Sequence, residues 1–413
     1  MTDFEKIRSR VEKNLEELKQ FTSTHGNGCT RLPFSKETRA AAEYLKNVMR
    51  EAKLEVREDS VGNVIGVRKG KDSSKPAIVS GSHYDSVYNG GNYDGIAGVI
   101  SSIEIARLLE DENIELDRDY VVVAFMDEEG TRFGTGYFGS NAILGDIDVA
   151  YCKHYMDKDG ISIYEAMKDY GLIPENVKNA KWDDDRIGAF IELHIEQGPV
   201  LDTKKIDVGL VSGIVGIQRY IFNIHGRADH AGTTPMDMRK DPVEIASRVL
   251  ANLGDTARAQ GDGTVATTGM ITAKPGGMNI VAQEVEFSVD IRSMNNDSIK
   301  NVFDYIIENL DRETKKVDAS YTYDTKLVVE PIGLDEEMID ILEDSAKKHE
   351  YSYEILPSGA GHDSLPIGHK HRTVMIFVPS KNGRSHSPEE YTSYDQFVKG
   401  INIMYDLVKK IEL

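Results

Sequence analysis

Four short apolar runs rich in β-branched residues constrain the fold of this chain more than any other feature. They are Ala77-Ile78-Val79, residues 120–126, residues 189–193 and residues 374–378, separated by stretches with helical spacing. A strand that is apolar along its whole length has no face for solvent, so the sheet must be covered on both sides. The pattern predicts an α/β fold, a mixed sheet between helices. The first fifty residues read as helix, with Leu15, Leu18 and Phe21, then Ala41, Tyr44, Leu45 and Val48, at 3–4 spacing. Short strands are expected near 55–57 and 63–67.

A second texture occupies residues 213–326. A strand (219–224) precedes a helix starting near Asp241-Pro242, then come strands at 265–272 and 280–291, a helix at 296–310 and a strand at 319–325. The order βαββαβ is that of the split βαβ sandwich. Runs belonging to the larger sheet lie on both sides of it, so it reads as an insertion. With 413 residues the chain is too long for one ordinary domain. The expected division is 1–212 and 328–413 for a catalytic domain, with 213–327 inserted; Gly209, Ser212 and Gly213 supply hinge residues on the way in.

The formal net charge is −20. Acidity of that degree argues against a nucleic-acid partner, which calls for a basic stripe, and against docking on an anionic membrane. Cys29 and Cys152 stand far apart, which suits two reduced thiols better than a disulfide or a thiolate metal site. The first residues lack an apolar signal segment and no apolar run reaches the ~18 residues of a membrane span. The expected location is the cytoplasm.

The chemistry gathers at strand ends. His83 follows the first run, Glu128 and Glu129 the second, His194 closes the third, and His386 lies in the loop after the fourth. Open α/β sheets build active sites at that edge. In Ser82-His83-Tyr84-Asp85 the His-x-Asp spacing lets Asp85 accept from the second ring nitrogen of His83 and fix its tautomer. Asp94, after the tight loop Asn89-Gly90-Gly91-Asn92, suits either the N-cap of the helix that follows or a carboxylate bridging two cations. Adjacent Glu128 and Glu129 diverge at a strand end, so one can bind metal while the other serves as general base. Histidines and carboxylates together suit a dinuclear site for zinc, manganese or a similar cation.

These segments resemble the M20 metallopeptidase-like superfamily, and within it the branch of N-carbamoyl-L-amino acid hydrolases, allantoate amidohydrolases and β-ureidopropionases. The marks are Gly81-Ser82-His83-x-Asp85-Ser86-Val87, Asn89-Gly90-Gly91-x-x-Asp94-Gly95, Glu128-Glu129-Gly130-x-Arg132-Phe133, Glu192-Leu193-His194-Ile195-Glu196-Gln197-Gly198 and His230-Ala231-Gly232-Thr233-Thr234-Pro235. The resemblance runs from Thr30 to the Ser385-His386-Ser387-Pro388 loop, and no ligand position departs from it.

The resemblance implies two divalent cations per subunit, Zn2+ or Mn2+, with Co2+ or Ni2+ also admissible. Asp94 would bridge them and His83 and His194 would each hold one, with Glu129 and His386 completing the sets in an order the sequence leaves open. Glu128 would be the general base and Asp85 would orient His83. The inserted domain would serve as lid and homodimer surface, with His230 holding the substrate carbonyl or its oxyanion in its own or the partner's site. Asn279 and Arg292, Gln218, Gln197, and Gly359 and Ala360 in the 358–363 loop carry over as substrate-binding positions. Arg292 is suited to a carboxylate clamp through two parallel hydrogen bonds. The expected reaction is hydrolysis of the ureido amide of a small N-carbamoyl-L-amino acid to amino acid, carbon dioxide and ammonia. The alternatives are an allantoate amidohydrolase or, further off, an aminoacylase or dipeptidase.

Overall fold

The computed structural model describes residues 3–411 and 413. It divides into two units, Met1–Ser212 with Leu334–Leu413, and Gly213–Gly333. Cys29 and Cys152 are both free and buried. Among the described residues no helix is long and apolar enough to cross a membrane.

The first unit is built on a mixed sheet. Its path runs Glu55–Glu58, Val64–Arg68, Tyr120–Phe125, Ala77–His83, Ile187–Ile195, Arg372–Val378 and Val208–Ile214, with Tyr353–Ser358 also paired to the last. Tyr120–Phe125, Ala77–His83, Ile187–Ile195 and Arg372–Val378 are mutually parallel, and their outer neighbours are antiparallel. These four are the apolar runs of the sequence, and the first two are buried at every residue. Helix Ile96–Asp111 packs on Ala77–His83 and Ile187–Ile195 and is itself buried almost all round, which is why its sequence shows no polar face. Helices are started by side chains that accept their first free N–H groups: Ser35 from Thr38, Asp335 from Met338, Ser393 from Gln396.

The inserted unit has sheet order Ile271–Lys274, Glu284–Ser293, Gly216–His225, Ser320–Val329, all antiparallel, with Val265–Thr267 beside Glu284–Ser293. Helices Pro242–Leu250 and Asn296–Val317 cover one face. Phe222 and Phe287 stack there at 5.1 Å in a core with Ile245, Val249, Ile299, Val302 and Ile306. Truncating either ring to alanine is expected to cost about 3–5 kcal/mol.

Four expectations are corrected here. The strand foreseen at 265–272 is two, Val265–Thr267 and Ile271–Lys274, and that at 280–291 is also two, Ile280–Val281 and Glu284–Ser293. The helix foreseen at 296–310 continues to Val317, because Leu310 and Thr314 still face the core. The unit extends to Gly333 rather than ending at residue 327, since Ser320–Val329 stays paired with Gly216–His225 through Val329.

Candidate metal centre

All four parallel strands release their chemistry at one edge. His83 is the last residue of its strand and pairs in register with Phe125, the last of the next. Beyond Phe125 the backbone turns through Asp127 at φ +59°. Glu128 and Glu129 leave that turn with their N–H groups donating to the two Asp85 carboxylate oxygens, at 3.1 and 3.4 Å. His194 lies one residue before the end of Ile187–Ile195, and His386 stands in the loop after Val378 at φ +52°.

Asp94 is where they meet. It is not the cap of the helix behind it: the N-cap is Gly95, at φ +65°, and no side chain caps that end. A Cβ at Gly95 would sit 2.4 Å from the His83 ring, so only glycine lets the chain pass. Asp94 Oδ1 lies 3.3 Å from His83 Nε2 and 3.1 Å from His194 Nε2. Its other oxygen, Oδ2, lies 3.4 Å from His386 Nε2, which is also 3.4 Å from Glu129 Oε1. The donors therefore group as His83, Asp94 and His194, and as Asp94, Glu129 and His386. Both buried histidines gather on one oxygen, where the sequence reading had divided them between two cations.

Hydrogen bonding tests whether this set fits cations. His194 Nδ1 lies 2.9 Å from Ile195 O and His83 Nδ1 lies 3.2 Å from Asp85 O. Each Nδ1 thus donates to a backbone carbonyl, and each ring turns its Nε2 toward Asp94 Oδ1. The Gly95 N–H, which donates to His194 Nε2 at 3.2 Å, marks the same tautomer. Imidazole nitrogens gathered on one carboxylate oxygen are the donor set of a cation site. Asp94 Oδ1 and Glu129 Oε1 are buried without a well-formed hydrogen bond. The residues fit divalent-cation binding.

Charge tells the same story. Burial and the Asp94 charge push Glu129 up to about 7. The Asp94 carboxylate, with Glu129 behind it, holds the His386 imidazole up at about 9 against the opposing effect of burial. Burial pushes Glu128 well above the usual carboxylate range; His83 opposes this, while Glu129, Asp363 and Asp85 add to it. So many carboxylates around three imidazoles call for positive charge. Glu128 Oε2 stands 3.9 Å from His83 Nε2, and Glu128, Glu129 and His83 also bring donor atoms within 4.8 Å of one another.

The structure alters one assigned role. The Asp85 carboxylate is spent mainly on the Glu128 and Glu129 backbone; its nearer contact with His83 is through its carbonyl, the carboxylate being 3.6 Å away. Gln197 lies within the cluster, its Nε2 donating to Asp94 Oδ2 at 2.7 Å. Gly359 is exposed with open space where a Cβ would go, and the Ala360 N–H donates to Ser358 Oγ. A Cβ at Gly361 would overlap the Tyr137 hydroxyl, and Tyr137 N–H donates to Glu128 O, so this loop abuts the Glu128 turn.

Within the inserted unit, His230 is exposed. Its Nδ1 accepts the N–H groups of Gly232 at 3.0 Å and Thr233 at 3.2 Å, which leaves the ring proton on the outward Nε2. His230 pairs with Ile280 across two short strands, next to exposed Asn279, whose carbonyl accepts the Ala231 N–H. Arg292 grips Asp290 through Nε at 2.7 Å and Nη2 at 3.1 Å. Gln218 Oε1 accepts the Tyr220 hydroxyl.

Sequence reasoning missed the residues that hold these side chains. Buried Asn63 accepts the Met126 N–H and donates to Gly139 O and Asp59, clasping the turn that carries Glu128. Buried Glu192 accepts from Ser82 on the neighbouring strand and from Ser364 at the start of helix Ser364–Gly368. Ser385 and Glu390 hold Asp94. Glu192 lies inside a quoted motif and Glu390 two residues past the Ser385–Pro388 loop, whereas nothing in the spacing singles out Asn63.

Comparison with known proteins follows this geometry. The model of peptidase family M20/M25/M40 matches residues 79–410. An N-carbamoyl-L-amino-acid amidohydrolase of Paenarthrobacter aurescens is 38% identical over 98% of each chain. An allantoate amidohydrolase of Bacillus subtilis (strain 168) is 34% identical over 98% of each. The crystal structure of an amidase of the hydantoinase/carbamoylase family from Burkholderia multivorans superposes with a TM-score of 0.89 at 28% identity, over 97% of each chain.

Proposed function

The chain belongs to peptidase family M20/M25/M40 and is a hydrolase of amide C–N bonds, and we propose that it acts on the ureido amide of N-carbamoyl-L-amino acids. The observation that carries the chemistry is the Asp94 carboxylate with two imidazole Nε2 atoms at one oxygen and the His386–Glu129 pair at the other. The substrate rests on the likeness to N-carbamoyl-L-amino-acid amidohydrolases.

His83, Asp94 and His194 would hold one cation, and Asp94, Glu129 and His386 a second, with zinc or manganese as the first candidates. Such cations polarise a carbonyl and lower the pKa of water toward 7. Glu128 takes the proton of the attacking water and returns it to the leaving nitrogen. Burial suits it to both halves of that task, because a raised pKa makes it a stronger base and a usable acid at neutral pH. The Asp85 carboxylate keeps Glu128 in place through its backbone. His230 is assigned to the oxyanion, since its fixed tautomer presents Nε2–H as a donor. Arg292 is assigned to the substrate carboxylate, with Asp290 holding its guanidinium flat. Water adds to the ureido carbonyl, the bond to the amino-acid nitrogen breaks, and the released carbamate decays to carbon dioxide and ammonia. Gln197, Gln218, Asn279, Gly359 and Ala360 remain proposed substrate contacts. A cytoplasmic homodimer formed through the inserted unit belongs to the same proposal; a monomer by light scattering at micromolar concentration would remove it.

The test is turnover by zinc- or manganese-loaded protein, offered N-carbamoyl-L-amino acids, allantoate and N-acetyl-amino acids in parallel, read as ammonia release for the first two and as free amino acid for the third. Turnover of the N-carbamoyl set supports the proposal. Turnover of allantoate alone would favour the second reading, motivated by the Bacillus subtilis relative, with the same residues in the same roles. Cleavage of N-acetyl-amino acids alone would overturn both.

A further inference from the structure

His386 is the loosest member of the centre. Its side chain is 49% exposed, while those of His83 and His194 are 1% exposed. It rides on a loop and not on a strand, so something other than the sheet must set its distance to Asp94.

Glu390, four residues further on, is 4% exposed and not among the grouped donors. Its Oε1 accepts the N–H groups of Tyr93 at 2.9 Å and Asp94 at 3.1 Å. Its Oε2 accepts from Ser385 Oγ at 2.9 Å, and Ser385 Oγ lies 2.9 Å from Asp94 Oδ2. One carboxylate thus grips the backbone at Asp94 and the residue before His386. The loops close further where Tyr93 and Tyr391 meet edge to face at 6.1 Å. A Cβ at Gly91 would stand 1.9 Å from the Glu390 carboxyl, so the loop before Asp94 is pared to glycine to admit it.

From this geometry we infer that Glu390 is a positioning residue that, with Ser385, holds the Asp94 loop and the His386 loop at the separation the second cation requires. The inference rests on the reading of the cluster as a two-cation centre. The Ser385 hydroxyl has one proton for two carboxylates, so it couples them: a donor supplied from the Glu390 side leaves that proton for Asp94 Oδ2. Glutamine at 390 meets the need, its oxygen accepting both N–H groups and its amide nitrogen donating to Ser385. Alanine leaves two buried N–H groups without partners and the serine with Asp94 Oδ2 alone.

The experiment is calorimetric titration of Mn2+ into the cation-free protein, for wild type and for Glu390→Ala, Glu390→Gln, Ser385→Ala and His386→Ala, with the cation-free melting temperature of each. Glu390→Ala is expected to weaken one of two binding events, the one that His386→Ala weakens, by about 10- to 100-fold, as loss of a residue behind a ligand does. Glu390→Gln should restore it, and Ser385→Ala should weaken the same event with an unchanged melting temperature. A residue that merely stabilised the fold would lower the melting temperature and leave the two events in their wild-type ratio. Wild-type binding by Glu390→Ala overturns the inference alone. If that variant does not fold, wild-type binding by Ser385→Ala overturns it. A wild-type protein that takes up fewer than two cations removes the two-cation reading and the inference together.

Discussion

The two oxygens of Asp94 face different kinds of structure. Oδ1 looks into the sheet, toward His83 and His194, whose rings are buried and keyed to backbone carbonyls. Oδ2 looks toward loops, where half-exposed His386, Glu129, Gln197 and Ser385 converge. Strand-borne ligands come fixed by the same hydrogen bonds that make the sheet, whereas loop-borne ligands need their own braces. The difference teaches that one carboxylate can join a rigid, closed position to an adjustable, open one. Open positions are where a catalytic centre admits water and substrate.

The largest expected effect tests whether the base stands apart from both faces. Glu128→Gln should lower turnover by about 10²- to 10⁴-fold while cation content by elemental analysis stays at the wild-type level. A loss of bound metal in that variant would make Glu128 a ligand and blur the comparison.

Next comes the contrast itself. His83→Ala removes a buried ring and should cost about 2 kcal/mol or more of stability to chemical denaturation in the cation-free protein, because a cavity opens between strands. His386→Ala opens no cavity between strands and should cost less of that stability than His83→Ala. Equal losses would end the claim that the faces differ in rigidity.

Asn63→Ala reaches the centre only through the backbone of the Glu128 turn. Turnover should fall roughly 10-fold, with KM and cation content unchanged. A change in KM instead would mean the Asn63 clasp shapes the substrate pocket, and would detach it from the base.

The smallest effect lies remote from both faces, on helix Ile96–Asp111. Burial raises Glu104 to about 7, with Arg10 and Arg107 opposing. A carboxyl that holds its proton more tightly when folded contributes stability that is complete below its unfolded value of about 4.5 and is lost as pH rises through about 7. Wild-type stability measured against Glu104→Gln should therefore decline between those values. A flat difference would mean that the Arg10 ion pair keeps Glu104 charged throughout.

Legibility in the sequence follows the same divide. The four parallel strands could be read because strands buried on both faces carry unbroken apolar runs, and the candidate ligands stood out because they follow or close those runs. The pairing of ligands could not. His83 and His194 come from neighbouring strands, and only the register of Ala77–His83 against Ile187–Ile195, with Gly95 giving way to the His83 ring, brings both to Oδ1. In the inserted unit the two broken strands read as continuous, since Thr267–Ile271 and Val281–Glu284 carry no proline to mark the interruption. The braces were invisible for a different reason. Asn63, Glu192 and Glu390 act across 63, 110 or 296 residues of sequence, and no local spacing records such a partnership.

The central claim is that two cations sit on opposite oxygens of Asp94, one in the sheet and one among the loops. The most direct measurement is anomalous diffraction at the zinc edge from crystals of the zinc-loaded protein. Two peaks are predicted, one enclosed by His83, Asp94 and His194 and the other by Asp94, Glu129 and His386. A single peak, or one that pairs His83 with His386, would contradict the account.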